Sequence, residues 1–591
     1  MKQERNAQQW DTDVLIVGSG PVGVTLACAL MARGVRCCLI EQREEPYTIV
    51  RAHALQPRTM ELFDRMGIID RVLKLGREVP PWYLYDGDRY IGEMAFAPLK
   101  HEPYPAMWFI QQPTVERLLR EHLQELGGTV EYRQQLVQLC QEEDGVIATV
   151  ATPDTTTEVR AHYVVGCDGG RSTTRHLLGL PFEGKTLPGL MLIAEVDMDW
   201  DRSRDGAAHI WVHADGLFSA TFIEEVGKWQ LVVAAPKMSQ EQETEPSLAL
   251  FQHLFEQRTG EAHTRMSNPS WMSMFVLNQR LATHYRVERV FLAGDAAHIH
   301  SPAGGLGMNT GIQDAYNLAW KLALVLEGKA TPSLLDTYEQ ERRPIGEALL
   351  RDTEANTGVL LGGNAALRLL RDRLVLPLMG LPLLQRKATQ RGAQLDLTYR
   401  TSSLSHFDDT AAQETLFSSE HLRARWDRLA FRFAPQAGDR APDIAYLRTA
   451  EQHATSLFQQ MRGTRWHLLL FSGGVSERNK SPILPLLDVA QHVKIHLGSV
   501  GEEVKPLLIL NTSLPIQGLD ESVKILLDPE GEAHRRYGAR GQALYLVRPD
   551  GYIGFRSLSP GKAALLDYLG SIFVLPQTQG AEYKGNYATH K

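Results

Sequence analysis

The chain opens with a strand–turn–helix–strand pattern, which constrains its fold more than any other feature. The apolar, β-branched run Asp13–Val17 predicts a buried strand, and three glycines follow in the spacing G-x-G-x-x-G, namely Gly18, Gly20 and Gly23. A helical stretch then leads to a second strand, Val35–Ile40, which ends at Glu41. Such glycines permit a tight turn and close approach of a pyrophosphate, and the terminal acid binds ribose hydroxyls. The pattern predicts a Rossmann-like domain that binds a dinucleotide, either NAD or FAD.

Length and charge narrow the class of protein. At 591 residues the chain is too long for one hydrophobic core, and we expect about two to four domains. The formal net charge of -8, without a Lys/Arg run, argues against a nucleic-acid partner. The N-terminal residues are polar, unlike a secretory signal, and the longest apolar run, Leu374–Leu384, is interrupted by Pro377, Gly380 and Pro382. We therefore expect a cytoplasmic protein without a membrane segment.

Three patterns that can carry chemistry are better explained by structure. An odd number of cysteines without a C-x-x-C pair is typical of reduced structural thiols, and the five are Cys28, Cys37, Cys38, Cys140 and Cys167. Residues 179–186, GLPFEGKT, match the P-loop pattern but follow a helix-like stretch and contain Pro181, so we do not expect them to bind a nucleoside triphosphate. His298 and His300 lack a third ligand at metal spacing, so we expect no metal site.

Two further motifs follow strand-like runs in the middle of the chain. The run Tyr163–Cys167 leads into residues 168–172, DGGRS, and the run Val290–Ala293 leads into residues 294–298, GDAAH. A glycine-rich turn before a helix comes next, with Pro302, Gly304, Gly305, Gly307, Met308 and Asn309. Residues 338–344, YEQERRP, close the segment.

With these motifs in this order, from about residue 11 to residue 350, the sequence resembles the class A flavoprotein monooxygenases, the family of p-hydroxybenzoate hydroxylase and phenol hydroxylase. The resemblance implies FAD as cofactor and NADPH or NADH as co-substrate. It also implies an α/β fold in which a Rossmann-like FAD-binding domain carries an inserted antiparallel-sheet substrate domain, followed by a C-terminal thioredoxin-like α/β domain. The lack of a second dinucleotide fingerprint agrees, because such enzymes have no separate NAD(P)H domain.

The resemblance also assigns cofactor-binding positions. Asp168 matches an aspartate that serves both flavin and NAD(P)H, Asp295 one that binds the ribityl hydroxyls, and Arg51 and Gln112 match contacts to the phosphates and ribityl chain. Pro302 and the turn 304–309 are expected to edge the isoalloxazine ring. The complete expected set is Gly18, Gly20, Pro21, Val22, Gly23, Glu41, Gln42, Arg51, Gln112, Leu136, Asp168, Gly294, Asp295, Pro302, Gly305, Gly307, Met308 and Asn309.

A segment between the second and third motifs alternates like antiparallel strands. Residues 209–213, 217–223 and 229–235 predict three strands, which we expect residues 82–94 and 107–110 to join. Aromatic and apolar residues of this region could line a substrate cavity, although sheet core is the better interpretation of each one: Trp108, Trp211, Phe222, Trp271 and Phe275. His209 and His213 are weak candidates for a base that draws the proton from a phenol, and either can equally be a core or solvated histidine.

The predicted function is hydroxylation of a small aromatic, phenolic substrate with NAD(P)H and O2, through a flavin C4a-hydroperoxide, as the resemblance implies. Two alternatives stay open. One is a related flavin oxygenase that performs epoxidation or Baeyer–Villiger-type tailoring of a polyketide or antibiotic, and the other is a non-catalytic, flavin-binding redox sensor. A homodimer is compatible with the resemblance, and the sequence leaves the substrate's identity and size open.

The expected domain organisation is discontinuous. The FAD-binding domain takes residues 1–78, 105–185 and 276–350, and the substrate sheet takes 79–104 and 186–275. A helical segment and linker, 351–435, precedes the domain 436–575, which resembles thioredoxin but contains no cysteine and so no thiol redox chemistry. Residues 576–591 are expected to be a disordered tail.

Overall fold

The computed structural model of the chain describes residues 10–48, 52–95, 98–187, 189–213, 215–235, 238, 245–300, 305–361, 389–408, 421–475, 481–516 and 523–575. The chain forms two compact units. The first comprises Met1–Ala323, Asp336–Thr398 and Phe458–Thr464, and the second comprises Leu324–Leu335, Tyr399–Leu457 and Arg465–Lys591. The finer division of the first unit into a FAD-binding domain and a substrate sheet stays a prediction, as do the domain boundaries.

The first unit contains a mixed sheet of eight strands, which we call the dinucleotide sheet. Strand Thr12–Val17 lies at its centre and pairs in parallel with Cys37–Glu41 on one side and Thr156–Gly166 on the other. The remaining strands are Val130–Tyr132, Gln135–Gln141, Val146–Ala151, Arg286–Val287 and Val290–Leu292. The strands that precede the three sequence motifs, at 17, 166 and 292, are therefore neighbours, and their carboxyl ends meet at one edge.

A seven-stranded sheet, which we call the pocket sheet, forms the second layer of the first unit. Its order is Met266–Phe275, Leu190–Met198, Lys228–Ala235, Gly216–Ile223, Ala208–His213, Trp82–Asp86 and Arg89–Met94. The predicted strands and the inclusion of residues 82–94 are confirmed. The placement of residues 107–110 was wrong, because Trp108–Phe109 pairs with Ala54–Leu55 and Arg77–Glu78 in a small separate sheet. A short apolar run predicts burial but not the strand it pairs with.

One face of the pocket sheet forms a large hydrophobic core with helix Leu248–Thr259. Trp211, Trp229 and Phe255 are fully buried in this core. The helix begins where the Ser247 side chain accepts a hydrogen bond from the Leu250 N–H, and it ends at Gly260, whose φ of 77° suits glycine. Because one face is occupied in this way, only the opposite face of the sheet is left for a ligand.

The other elements of the first unit connect these sheets. Strands Phe182–Thr186, Asn278–Ala282 and His298–Ile299 form a three-stranded sheet. The P-loop-like segment 179–186 is therefore mainly a strand and not the loop before a helix that a nucleoside triphosphate site needs. The helices are Pro21–Met31, Pro57–Arg65, Ile69–Leu75, Gln112–Glu125, Thr173–Leu177, Leu248–Thr259, Gly307–Leu326 and Asp336–Leu361, with a 3-10 turn at Gly294–Ala296. The last three residues of helix Gly307–Leu326 belong to the second unit.

Residues Phe458–Thr464 belong to the first unit, although residues 399–457 of the second unit separate them from the rest of it in the sequence. Several contacts hold this short segment, including a hydrogen bond from the Gly463 N–H to the Arg65 carbonyl at 3.1 Å. Arg462 pairs with the Asp64 carboxylate, Arg65 donates to the Met461 carbonyl at 3.3 Å, and Arg33 donates to the Thr464 carbonyl at 2.5 Å. The first unit is thus completed by a late part of the chain.

The second unit contains a mixed eight-stranded sheet. Its order is His406–Asp408, Ile553–Ser557, Ala543–Val547, Trp466–Gly474, Val504–Asn511, Lys524–Leu527, Leu447–Thr449 and Ala454–Thr455. Its helices are His421–Phe433, Leu484–Leu497, Glu532–Arg536 and Lys562–Ile572, with 3-10 turns at Pro332–Leu335 and Gly498–Glu503. Helix Leu457–Gln460 begins in this unit, and its last three residues belong to the first. Strand His406–Asp408 and helix His421–Phe433 occupy part of the stretch interpreted as a linker. The resemblance of this unit to thioredoxin stays a prediction, and the tail 576–591 lies outside the described residues.

Candidate functional site

A cavity of about 770 Å³ in the first unit joins the dinucleotide sheet to the free face of the pocket sheet. Its dinucleotide end is lined by the G-x-G-x-x-G turn, by Glu41 and by residues of the other two motifs, including Asp168 and Asp295. Its other end is lined by apolar and uncharged polar side chains of the pocket sheet. The volume falls within the range of about 300–1,000 Å³ that is usual for ligand sites.

The glycine turn fits a dinucleotide phosphate. A Cβ on Gly18, which has a φ of 101°, would lie 2.6 Å from the Cys167 carbonyl oxygen, and a Cβ on Gly23 would lie 1.9 Å from the Gly18 oxygen. These two glycines therefore let strand, turn and helix pack closely. A Cβ on Gly20 would meet no atom within 4 Å, so the space above it, at the start of helix Pro21–Met31, is open for a ligand.

Glu41 ends its strand as a buried carboxylate at the cavity wall. It accepts hydrogen bonds from the backbone N–H and the hydroxyl of Ser19, both at 3.0 Å, and pairs with Arg43 at 3.0 Å. Burial opposes ionisation, but the hydrogen bonds from Arg43 and Ser19 outweigh it, so the pKa of Glu41 falls to about 2. Glu41 is therefore an ionised hydrogen-bond acceptor throughout the physiological pH range.

Asp168 lines the cavity and also holds the following helix. Its carboxylate accepts from the Ser172 hydroxyl at 2.5 Å and from the backbone N–H and hydroxyl of Thr174 at 2.9 and 3.0 Å. The DGGRS motif thus fixes the start of helix Thr173–Leu177 beside the cavity.

The glycine-rich turn after the third motif is held by a side chain that does not line the cavity. Asn309 is fully buried, accepts from the Gln56 N–H at 2.8 Å, and donates to the carbonyls of Ala54 at 3.0 Å and Gly305 at 2.9 Å. Asn309 therefore ties the turn to the strand that carries Ala54. Among the residues of this turn that the structure describes, Gly305, Gly307 and Met308 line the cavity.

A buried ion network supports the 294–298 turn from behind. Asp314 is fully buried and accepts from the Gly294 N–H at 3.1 Å, from His298 Nε2 at 2.8 Å and from Arg342 Nε at 2.6 Å. Burial raises the pKa of Asp314, but the charges and hydrogen bonds of Arg342 and His298 outweigh it and lower the pKa. Arg342 of the YEQERRP motif therefore helps to hold the 294–298 turn in place, because it pairs with Asp314, which binds the Gly294 N–H.

Strand alternation decides which pocket-sheet residues reach the cavity. On four adjacent strands, every second side chain faces it. We call these ten residues the platform: Met191, Ile193, Ala208, Ile210, Leu217, Ser219, Thr221, Gln230, Val232 and Ala234.

Neither candidate histidine lines the cavity. His209 lies between Ala208 and Ile210 and therefore faces the opposite, core side, where its Nδ1 lies 3.2 Å from the Tyr85 hydroxyl. Burial, with a smaller effect from Arg202, lowers the pKa of His209. His213 Nδ1 accepts the Asp215 N–H at 3.1 Å. Both belong to the structure of the sheet, and the structure does not support either as the base.

The proposed aromatic lining residues also lie outside the cavity wall. Trp211 and Phe222 belong to the opposite core, Trp108 donates to the Val72 carbonyl, and Phe275 packs beside Met191. Trp271 lies on the edge strand Met266–Phe275. The aromatic residues that do line the cavity include Trp82 and Phe109.

One polar pair was missed by the sequence analysis. His53 and Gln230 both line the cavity, and His53 Nε2 lies 2.5 Å from Gln230 Oε1. The ring of His53 stacks on Phe109, with centroids 5.4 Å apart. Burial lowers the pKa of His53, although the bond to Gln230 partly offsets this. His53 stands two residues after Arg51, a position that the resemblance already marked, but no spacing rule connects it with Gln230.

The other predicted cofactor residues divide into three groups. Pro21, Val22, Gln42, Gln112 and Leu136 line the cavity together with the groups described above. Gly23 and Gly294 do not line it but permit close packing, since a Cβ on Gly294 would lie 2.7 Å from Val22 Cγ2. Arg51, Pro302 and Gly304 lie outside the described residues.

The described part of the chain contains neither a membrane-spanning helix nor a cluster of metal-ligating side chains. None of its helices combines the length and apolarity needed to cross a membrane. Within the same residues, no three His, Cys, Asp or Glu side chains are grouped as metal ligands.

The fold and the cavity define a dinucleotide-binding flavoprotein with a ligand space against the cofactor. Residues 11–353 match the family model described as FAD binding domain, and the chain belongs to this family. It is 31% identical over 575 residues to a flavin-dependent monooxygenase of Mycobacteroides abscessus, covering 95% of this chain and 99% of that protein. It is 32% identical over 577 residues to the 6-methylpretetramide 4-monooxygenase of Streptomyces rimosus, covering 95% and 94%.

A solved structure agrees with these relatives. The anhydrotetracycline hydroxylase from Streptomyces rimosus superposes with a TM-score of 0.71 at 28% identity and covers 95% of this chain and 99% of its own. The protein is a FAD-dependent aromatic monooxygenase with the α/β fold that the sequence predicted.

Proposed function

We propose that this enzyme hydroxylates a phenolic ring bound on the platform, with NAD(P)H and O2 as co-substrates. The observation that carries the proposal is one cavity that joins the glycine turn, the Asp295 turn and the platform. Two relatives are named for oxygenating 6-methylpretetramide and anhydrotetracycline, which supports an aromatic substrate.

The cavity residues fit FAD. Glu41 would bind the ribose of the ADP half, the open space above Gly20 would take the pyrophosphate, and Asp295 would meet the ribityl chain. Bound FAD, reduced by NAD(P)H, supplies the activation of O2. The backbone at the start of helix Gly307–Leu326 would stabilise negative charge on the flavin ring through the helix dipole. Arg51 and Pro302 belong to this assignment through the resemblance alone.

The pocket sheet supplies a dry wall and a few polar groups. Its apolar side chains exclude water from the ring that reacts. Because burial lowers the pKa of His53, the imidazole is neutral near pH 7, and the short contact with Gln230 Oε1 places its proton on Nε2. His53 and Gln230, rather than His209 or His213, are the groups that we assign to orienting the hydroxyl of the substrate.

The test is oxidation of NADH and NADPH by the purified yellow protein across a panel of phenols. O2 uptake and product mass are followed in parallel. We expect one class of compound to accelerate NAD(P)H oxidation many-fold and to gain one oxygen atom on an intact ring. A product with an epoxide or an expanded ring would favour the tailoring alternative. FAD-loaded protein that no aromatic compound stimulates would contradict the proposal.

Two further parts of the proposal concern the assembly and location of the enzyme. The resemblance is compatible with a homodimer, which light scattering of the purified protein tests. We also place the enzyme in the cytoplasm, which fractionation of the cells that produce it tests.

A further inference from the structure

The platform is wider than one aromatic ring. Its residues occupy four adjacent strands, and three of them follow one another on each of the two central strands. With neighbouring strands about 4.8 Å apart and about 3.4 Å per residue along a strand, it measures roughly 14 Å in each direction. An aromatic side chain buries about 150–250 Å² over both faces of its ring, and a single six-membered ring lies at the low end of that range. One face of such a ring therefore covers less than half of the area of the platform.

The central row of the platform carries β-branched and small side chains and no aromatic ring. The strand registers place Ile193, Val232, Ser219 and Ile210 in one row across the sheet. Ala208 and Ala234 lie in the rows on either side of it. Small and β-branched side chains on a pleated face present a flat surface, which suits a flat ligand.

Polar groups concentrate in one row of the platform. Thr221 and Gln230 are register partners on adjacent strands, and Ala208 continues the same row. Gln230 contacts His53, so hydroxyl, amide and imidazole groups follow one another along this edge. Together they can donate to and accept from several oxygen atoms of one ligand.

None of the ten platform residues is charged, whereas Glu195, which follows Ile193 on the same face of its strand, is a buried carboxylate and the register partner of Gln230. The charged side chains that line the described cavity are Glu41, Arg43, Glu116, Asp168, Arg171 and Asp295, and none belongs to the pocket sheet. A carboxylate placed on the platform would lose its hydration without gaining a cation, and that costs much more than binding a neutral group. The platform therefore disfavours ring acids such as hydroxybenzoates.

From these observations, we propose that the substrate is an uncharged, flat, fused multi-ring aromatic compound with its oxygen substituents along the Thr221–Gln230–His53 edge. This inference rests on the proposed function, because it names the substrate class of the same site. It selects between substrates that the sequence leaves open, namely a simple phenol, a hydroxyphenyl acid and a polyketide or antibiotic scaffold.

The first experiment measures binding to the FAD-loaded enzyme by perturbation of the flavin absorption spectrum, without NAD(P)H. The probes are phenol, 1-naphthol, 1,8-dihydroxyanthraquinone and anthraquinone-2-carboxylate. We expect Kd to fall at least about tenfold from phenol to the dihydroxyanthraquinone, because more apolar area is buried, and to rise at least about tenfold for the carboxylate. Equal affinity for phenol and the dihydroxyanthraquinone, or tighter binding of the carboxylate, would overturn the inference.

Variants locate the ligand. Ser219→Phe fills the centre of the platform and should weaken the dihydroxyanthraquinone at least about tenfold while phenol changes less than about threefold. Val226→Phe adds the same ring at an exposed turn and should change neither. Thr221→Val should weaken 1-naphthol about three- to tenfold without affecting naphthalene. If Ser219→Phe weakens phenol and the three-ring probe equally, the inference is wrong.

The binding assay separates this inference from the proposed function. It needs only bound FAD, whose content is read from the visible spectrum of each variant. Tight binding of the three-ring probe by a FAD-loaded protein that no aromatic compound stimulates would contradict the proposed function and support the substrate class. Turnover of phenol with no preference for larger rings would support the function and overturn the substrate class.

Discussion

Asp314→Asn tests whether the buried ion network of Asp314, Arg342 and His298 holds the 294–298 turn in place. The substitution keeps the shape of the side chain but removes the charge that faces Arg342 at 2.6 Å and His298 at 2.8 Å. Asp314 and Arg342 are both fully buried, so solvent cannot compensate for the lost charge. The substitution also weakens the acceptor for the Gly294 N–H, which belongs to the turn beside Asp295.

Breaking a buried pair by removing one partner costs about 3–5 kcal/mol, since the remaining charge stays buried and uncompensated. We expect a loss of that size in the free energy of unfolding of the first unit, together with weaker FAD retention. The pH dependence has a definite sign. The pKa of Asp314 is lowered in the folded protein, so its contribution is complete above the unfolded value of about 3.9 and is lost as pH falls through the folded value. Asp314→Asn removes this contribution at every pH.

The assay is urea unfolding at pH 7 and pH 4, followed by tryptophan fluorescence and by the fluorescence of released FAD. The matched control is Asp352→Asn, because Asp352 pairs with Arg391 at 2.6 Å on the exterior, where Arg391 is 68% exposed. An exposed pair contributes about 0–1 kcal/mol. If the two variants differ by less than about 1 kcal/mol and retain FAD equally, the network does not support the turn, and the reasoning is refuted.

Three further predictions follow from other positions. Glu41→Gln removes a carboxylate whose pKa is about 2, and we expect FAD affinity to fall about ten- to hundredfold, uniformly between pH 5 and 9, in a titration of apoprotein; a pH-dependent loss would contradict this. Gly23→Ala should prevent FAD loading, because its Cβ would lie 1.9 Å from the Gly18 oxygen, whereas Gly392→Ala, with no atom within 4 Å, should load normally in the same spectral assay. With Ellman's reagent at pH 8, exposed Cys140 should react first, since burial raises the pKa of Cys37 and Cys38 to about 12 and that of Cys28 further; mass spectrometry of the labelled peptides identifies the site, and early labelling of Cys28 would contradict the prediction and show that helix Pro21–Met31 separates from its neighbours.

The dinucleotide sheet could be predicted from local sequence patterns. The run before Gly18 and the strand before Glu41 were predictable because each element follows from residues within about twenty positions. The meeting of the three motifs at one sheet edge was also predictable, because parallel strands bring their carboxyl ends together.

The pocket was less predictable because it depends on which face of a strand is covered. Alternation in residues 209–213 shows that His209 and Trp211 share a face opposite Ile210, but it does not say which face meets the cavity. The answer depends on helix Leu248–Thr259, which covers the His209 side. The His53–Gln230 contact joins residues 177 positions apart, so no local signal could reveal it.

Because segment Phe458–Thr464 belongs to the first unit but comes late in the chain, the order of synthesis affects when the first unit can be completed. A ribosome releases the glycine turn, both motif strands and the whole platform long before Arg462 emerges to meet Asp64. Domains that are contiguous in sequence can fold as soon as they emerge. Here the nascent first unit lacks its last segment until residues 324–335 and 399–457 of the second unit have also been translated. A gene cut after residue 398 would therefore encode the whole cavity but not the segment that completes the unit around it.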